Sequence, residues 1–145
     1  MTENITYLSP NGQNVTYGTG TVTRMLVGTI DCVVTLDRKL RGKPWVETAR
    51  GLDGLHVSSL LFEPVSGKLF AGCHGDGGLW VSEDGGGADW RRLENGLGHA
   101  HIYSLAARDI GGIVTLFAGT SPAALYRSAD LGKNWTEISS LKDVP

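Results

Sequence analysis

Four histidines carry the most versatile chemistry in this chain: His56, His74, His99 and His101. An imidazole titrates near neutral pH and readily ligates divalent metals, so a group of them could move protons or hold an ion. His99 and His101 are separated by one residue. On an extended segment both rings then lie on one side, a workable chelate spacing. His56 heads the string His56–Val57–Ser58–Ser59–Leu60, and His101 heads the matching string His101–Ile102–Tyr103–Ser104–Leu105. The expected metal ligands are therefore His56, His99 and His101, and a divalent ion is the one cofactor these residues could take. Asp53, His74 and Asp76 complete the candidate ligand-binding set, and Asp53 and Asp76 are the carboxylates available for acid–base work. The same histidines would also suit a polar, half-buried lining that repeat duplication simply copied. The run His74–Gly75–Asp76–Gly77–Gly78 is Gly-rich but precedes a strand pattern. A phosphate-cradling loop needs a helix N-terminus instead.

The elements that must position these residues are repeated. Leu69–Phe70–Ala71–Gly72 recurs as Leu116–Phe117–Ala118–Gly119, Ser82–Glu83–Asp84–Gly85 as Ser128–Ala129–Asp130–Leu131, and Trp90 as Trp135. The spacing is about 45 residues, the length of a four-stranded repeat. A fainter copy lies upstream, where Leu26–Val27–Gly28–Thr29 matches Phe117–Ala118–Gly119–Thr120 and Trp45 precedes Trp90. Short β-branched runs separated by Gly-rich turns, with no sustained helical period, predict an all-β chain of three four-stranded antiparallel repeats. The 21 glycines fit many tight turns.

One motif closes each of the two clear repeats. Ser128–Ala129–Asp130–Leu131–Gly132–Lys133–Asn134–Trp135 reads Ser-x-Asp-x-Gly-x-x-Trp. Ser82, Asp84, Gly86 and Trp90 fit the same pattern with one inserted residue, placed before the tryptophan. Physically this is a hairpin device: the carboxylate accepts backbone N–H groups, the glycine takes a positive φ, and the indole packs flat on its own sheet. At Ser82, Asp84, Gly86, Trp90, Ser128, Asp130, Gly132 and Trp135 the chain resembles the sialidase-like BNR or Asp-box repeat proteins, grouped with sortilin-type and WD40/YVTN-like β-propellers. The resemblance implies that these residues are structural and that Asp84 and Asp130 are not a catalytic acid pair. Two repeats carry the resemblance well and the first weakly.

The resemblance implies an incomplete propeller with an extension over residues 1–23 and blades near 24–50, 51–97 and 98–145. Such propellers have about six to eight blades, so three do not close a ring. The partners implied are further blades, as the missing part of a longer protein or as a second copy in a homodimer. The first blade lacks a clear innermost strand, and Asn14–Val15–Thr16–Tyr17 is either a strand standing in for it or a flexible segment. The resemblance also places ligands over the ring axis, among the loops that hold all four histidines.

Three functions follow. The first is a non-catalytic scaffold that binds a protein or a small carbohydrate-like ligand. The second is a sialidase-like glycoside hydrolase, although Arg24–Met25–Leu26 lacks the proline of that family's early arginine segment. The third is a metal-dependent site at the histidines. The net charge of −2 gives nucleic acid no electrostatic support. No apolar run is long enough to span a membrane. Cys32 and Cys73 have no metal-ligand spacing and sit beside apolar residues, so buried thiols in a cytoplasmic protein are expected.

Overall fold

The structure, a computed structural model, describes residues 4–11 and 14–143. Its strands fall into three sheets that follow one another along the chain. The first contains β1 (Ile5–Leu8), β2 (Val15–Tyr17), β3 (Arg24–Gly28), β4 (Val33–Asp37) and β5 (Val46–Gly51), in the order β2-β1-β3-β4-β5. The middle sheet is β6 (Val57–Glu63), β7 (Lys68–Cys73), β8 (Gly78–Ser82) and β9 (Arg91–Leu93), in sequence order. The third is β10 (His101–Ile110), β11 (Ile113–Ser121), β12 (Ala124–Ser128) and β13 (Thr136–Glu137), again in sequence order, followed by a 3₁₀ segment at Ser139–Asp143. Every pairing between these strands is antiparallel except that of β1 with β3. No helix among the described residues is long and apolar enough to cross a membrane.

The hydrophobic patterns follow from the layering. Every residue of β6 is buried, from Val57 to Glu63, because the middle sheet is covered on both faces. In β3 and β11 burial alternates more nearly residue by residue, as expected where one face is less covered. The core runs through all three sheets and includes Leu26, Val33, Val57, Leu60, Phe70, Leu79, Ile102 and Leu116. Removing apolar area from water at about 25 cal/mol per Å² drives this stacking.

The two sheet-to-sheet contacts use the same device. A Cβ on Gly28 in the first sheet would lie 2.9 Å from Val57 Cγ1 of the middle sheet. A Cβ on Gly72 in the middle sheet would lie 2.6 Å from Ile102 Cγ2 of the third. Each glycine is the bare spot into which the first strand of the next sheet sets an aliphatic side chain. The hairpins follow suit. The Thr35 hydroxyl donates to the Gly86 carbonyl at 2.9 Å, seating the β8–β9 hairpin on the first sheet. Gly132 in the β12–β13 hairpin lies against Leu93 and Phe70 of the middle sheet.

Both hairpins are built as the motif requires, with two adjustments. Asp130 Oδ1 accepts the Asn134 N–H at 2.9 Å, and Asp84 Oδ1 accepts the Gly86 N–H at 2.8 Å. The Ser82 and Ser128 hydroxyls accept from Gly87 and Gly132 at 3.1 and 2.9 Å, and Trp90 and Trp135 donate to the carbonyls of those glycines. Gly87, with φ of 79°, is therefore the counterpart of Gly132, with φ of 87°, and Gly86 is not. The inserted residue lies between Asp84 and that glycine. The Trp90 indole also reaches beyond its own sheet, since a Cβ on Gly51 of β5 would overlap its ring.

The start of the chain differs from expectation. Val15–Tyr17 is a strand, but β1 occupies the place beside β3 and β2 lies outside it. Both strands fall in the stretch read as an extension. β1 runs parallel to β3, with Thr6 opposite Met25 and Tyr7 opposite Leu26. The chain after β1 then follows the free edge of β6: the Leu60 N–H donates to the Ser9 hydroxyl at 3.0 Å, and the Asn11 N–H to the Ser58 carbonyl at 2.9 Å.

Candidate functional site

The histidines gather at the end of the sheets where β6 and β10 begin and β7 stops. His56 immediately precedes β6, His101 opens β10, and His74 immediately follows β7. Backbone bonds hold them in place. The His74 N–H donates to the His56 carbonyl at 2.8 Å, and the Gly78 N–H donates to the Ala100 carbonyl at 2.9 Å, tying the loop after β7 to the residue before His101.

Three imidazoles form a row with His74 in the middle. Its ring is stacked on His56, with centroids 4.9 Å apart and planes 21° from parallel. It meets His101 edge-on, with centroids 4.1 Å apart. His74 is exposed, while His56 and His101 are half-buried. Tyr103, exposed on β10, extends the row at 5.9 Å from His101. Burial, with His74 and then His56 adding their charges, lowers the pKa of His101 below the ordinary imidazole value. His101 Nε2 is buried and has no hydrogen-bond partner among the described residues.

The other candidates lie elsewhere. His99 is set against Tyr126, with ring centroids 6.5 Å apart, and the Tyr126 hydroxyl accepts the Gly98 N–H. It lines a separate cavity of about 340 Å³ together with Arg92 and Glu94. The His99–His101 pair read as a chelate is thus divided between two environments. Asp53 and Asp76 are exposed, and among the described residues no hydrogen bond or ion pair joins either carboxylate to a histidine. Asp76 contributes its carbonyl, which accepts from Arg92 at 3.0 Å. Among the described residues no three His, Cys, Asp or Glu side chains are already arranged to hold a metal ion.

The remaining groups are quiet. Cys32 and Cys73 are free and buried, as expected. Burial pushes the Cys73 thiol up to about 12, so although it adjoins His74 it is no nucleophile at neutral pH. Asp84 and Asp130 are engaged in their hairpins. A cleft of about 540 Å³ lies between Tyr7, Asn11, Val15 and Tyr17 on one side and Ser104 to Arg108 of β10 on the other, with Leu60 and Leu61 of β6 also lining it.

Sequence reasoning put His74 among the ligand-binding candidates but not among the metal ligands, because only His56 and His101 recur. Ser121 follows Thr120 where His74 follows Cys73, so the repeat carries no second copy of it. It missed Tyr103 altogether: Ser58 holds that place in the middle repeat. The row can accept hydrogen bonds, stack on a planar group and offer imidazole nitrogens to a ligand. It holds no carboxylate pair for glycosidic cleavage. No family model matches this chain, and no curated protein is similar to it.

Proposed function

We propose that the chain is a non-catalytic binding scaffold made of three successive Asp-box β-propeller blades, with its ligand seat at the His56–His74–His101 row. One observation carries this reading: the same glycine-and-aliphatic contact, Gly28 with Val57 and then Gly72 with Ile102, joins each sheet to the next. A single stacking rule applied twice is how radially arranged repeats are built. The matched seating of the two Asp-box hairpins supports it further. Gly119 holds the place of Gly28 and Gly72 on the third sheet. The partner the scaffold calls for there is another blade, from a longer chain or from a second copy. Three imidazoles able to stack on a planar group and accept hydrogen bonds suit a binding seat.

The test pairs a thermal-shift screen of small glycans and organic acids with a fluorogenic sialoside assay, on the intact chain and on His74→Ala. A ligand that raises the melting temperature of the intact chain but not of the variant, with no sialoside turnover, supports the scaffold. Turnover by the intact chain overturns it in favour of a hydrolase.

A further inference from the structure

We infer that His56, His74 and His101 form a site for one late first-row divalent metal ion, of the Cu²⁺, Ni²⁺ or Zn²⁺ type. This rests on the reading of the row as the ligand seat. The donors are all imidazole, a set that favours these ions over Mg²⁺ or Ca²⁺, which require oxygen. Three rings within two contacts of 4.9 and 4.1 Å are held on a backbone cross-linked by the His74–His56 and Gly78–Ala100 bonds.

His101 Nε2 supplies the independent sign. It is a buried polar atom without a partner among the described residues, and leaving such an atom unsatisfied is costly. A bound ion at the row would supply the missing partner.

The rings stand face to face and edge to face, so their nitrogens do not yet converge. His74 is exposed and can turn between staggered rotamers, bringing its nitrogen edge toward its two neighbours. His99 lies against Tyr126 and is left out, which makes the ligand set His56, His74 and His101 rather than His56, His99 and His101.

The test is calorimetric titration of the untagged full chain with Ni²⁺ and Zn²⁺, and with Mg²⁺ as a hard-ion control. The expected result is one ion per chain, with affinity falling about tenfold or more in His74→Ala and in His101→Ala, by analogy with the loss of supporting groups at metal sites. His99→Ala should bind as the unaltered chain does, and Mg²⁺ should give no heat. Absence of Ni²⁺ and Zn²⁺ binding at millimolar concentration overturns the inference, as does an equal loss from His99→Ala and His74→Ala. If His101→Ala fails to fold, the exposed His74→Ala decides alone. Metal is read directly here, without the organic ligands of the scaffold screen. A negative result therefore leaves the scaffold proposal standing, and sialoside turnover would leave the metal result standing.

Discussion

Ile102 of β10 occupies the space that any side chain at position 72 of β7 would need: a Cβ there would lie 2.6 Å from its Cγ2 and 3.0 Å from its Cβ. Gly72 has no positive φ to explain it, so its smallness serves packing alone. Gly72→Ala is expected to cost about 1–3 kcal/mol by overpacking. In a double-mutant cycle with Ile102→Ala the two losses should fall short of additive by more than about 0.5 kcal/mol. Urea unfolding of the four proteins measures this, and strict additivity would mean that the two positions do not share that space.

Trp135 and Trp90 make the same Nε1 bond to a hairpin glycine, yet differ in exposure. Trp135 is 5% exposed, while Trp90 is half-buried. Trp135→Ala should therefore cost about 3–5 kcal/mol, and Trp90→Ala distinctly less. Chemical denaturation of both variants checks the order, and equal losses would contradict it.

Asp130 is held below the usual carboxylate range, chiefly by the Asn134 side-chain amide and then by the Asn134 backbone N–H and the Ser128 hydroxyl. A depressed value in the folded state means that its contribution is present above the ordinary aspartate pKa. That contribution is lost as the pH falls through the folded value. Asp130→Ala should destabilise by about 1–3 kcal/mol at pH 7, the range for hydrogen bonds to a charged group, with the lower end expected at this solvated turn. The difference from the unaltered chain should shrink in acid. Urea midpoints at neutral and acidic pH test both points, and a gap that persists in acid would exclude the carboxylate as its source.

His101 shifts the other way in charge but not in pH. Its lowered folded pKa means that the unfolded chain takes up the proton first. Its contribution to stability is therefore full above the ordinary imidazole value and declines as the pH drops below it. Proton NMR titration should place the His101 midpoint below that of a model imidazole, and His74→Ala should move it upward by removing a neighbouring charge. A midpoint unmoved by that substitution would contradict the arrangement of the row.

The parts of this fold that were legible in sequence are those set by local pattern. Leu69–Gly72 and Leu116–Gly119 announce paired strands because a core face, a turn and a bare glycine recur together. The Ser-x-Asp hairpins are legible because one carboxylate must reach N–H groups a few residues away. Gly86 was misplaced as the motif glycine because an insertion can be absorbed on either side of it, and it takes φ and the Ser82 and Trp90 bonds to distinguish Gly86 from Gly87. The parallel pairing of β1 escaped notice because a four-residue strand does not specify its partner or its direction. For the site, repetition revealed His56 and His101 but assigned His99 by spacing alone. The structure sets His99 against Tyr126 and puts the uncopied His74 between the other two.

The parallel strand at the start has a consequence for assembly. With β1 against β3, and with Ser9 and Asn11 bonded to Leu60 and Ser58 of β6, the β3 border and part of the β6 edge are already engaged. At this border of the first sheet an incoming strand meets β2, three residues long and too short to template much growth. β1, β2, Ser9 and Asn11 thus act as a built-in plug. Trimming them would uncover Arg24 to Val27 of β3 and part of β6, turning a blunt border into a sticky one.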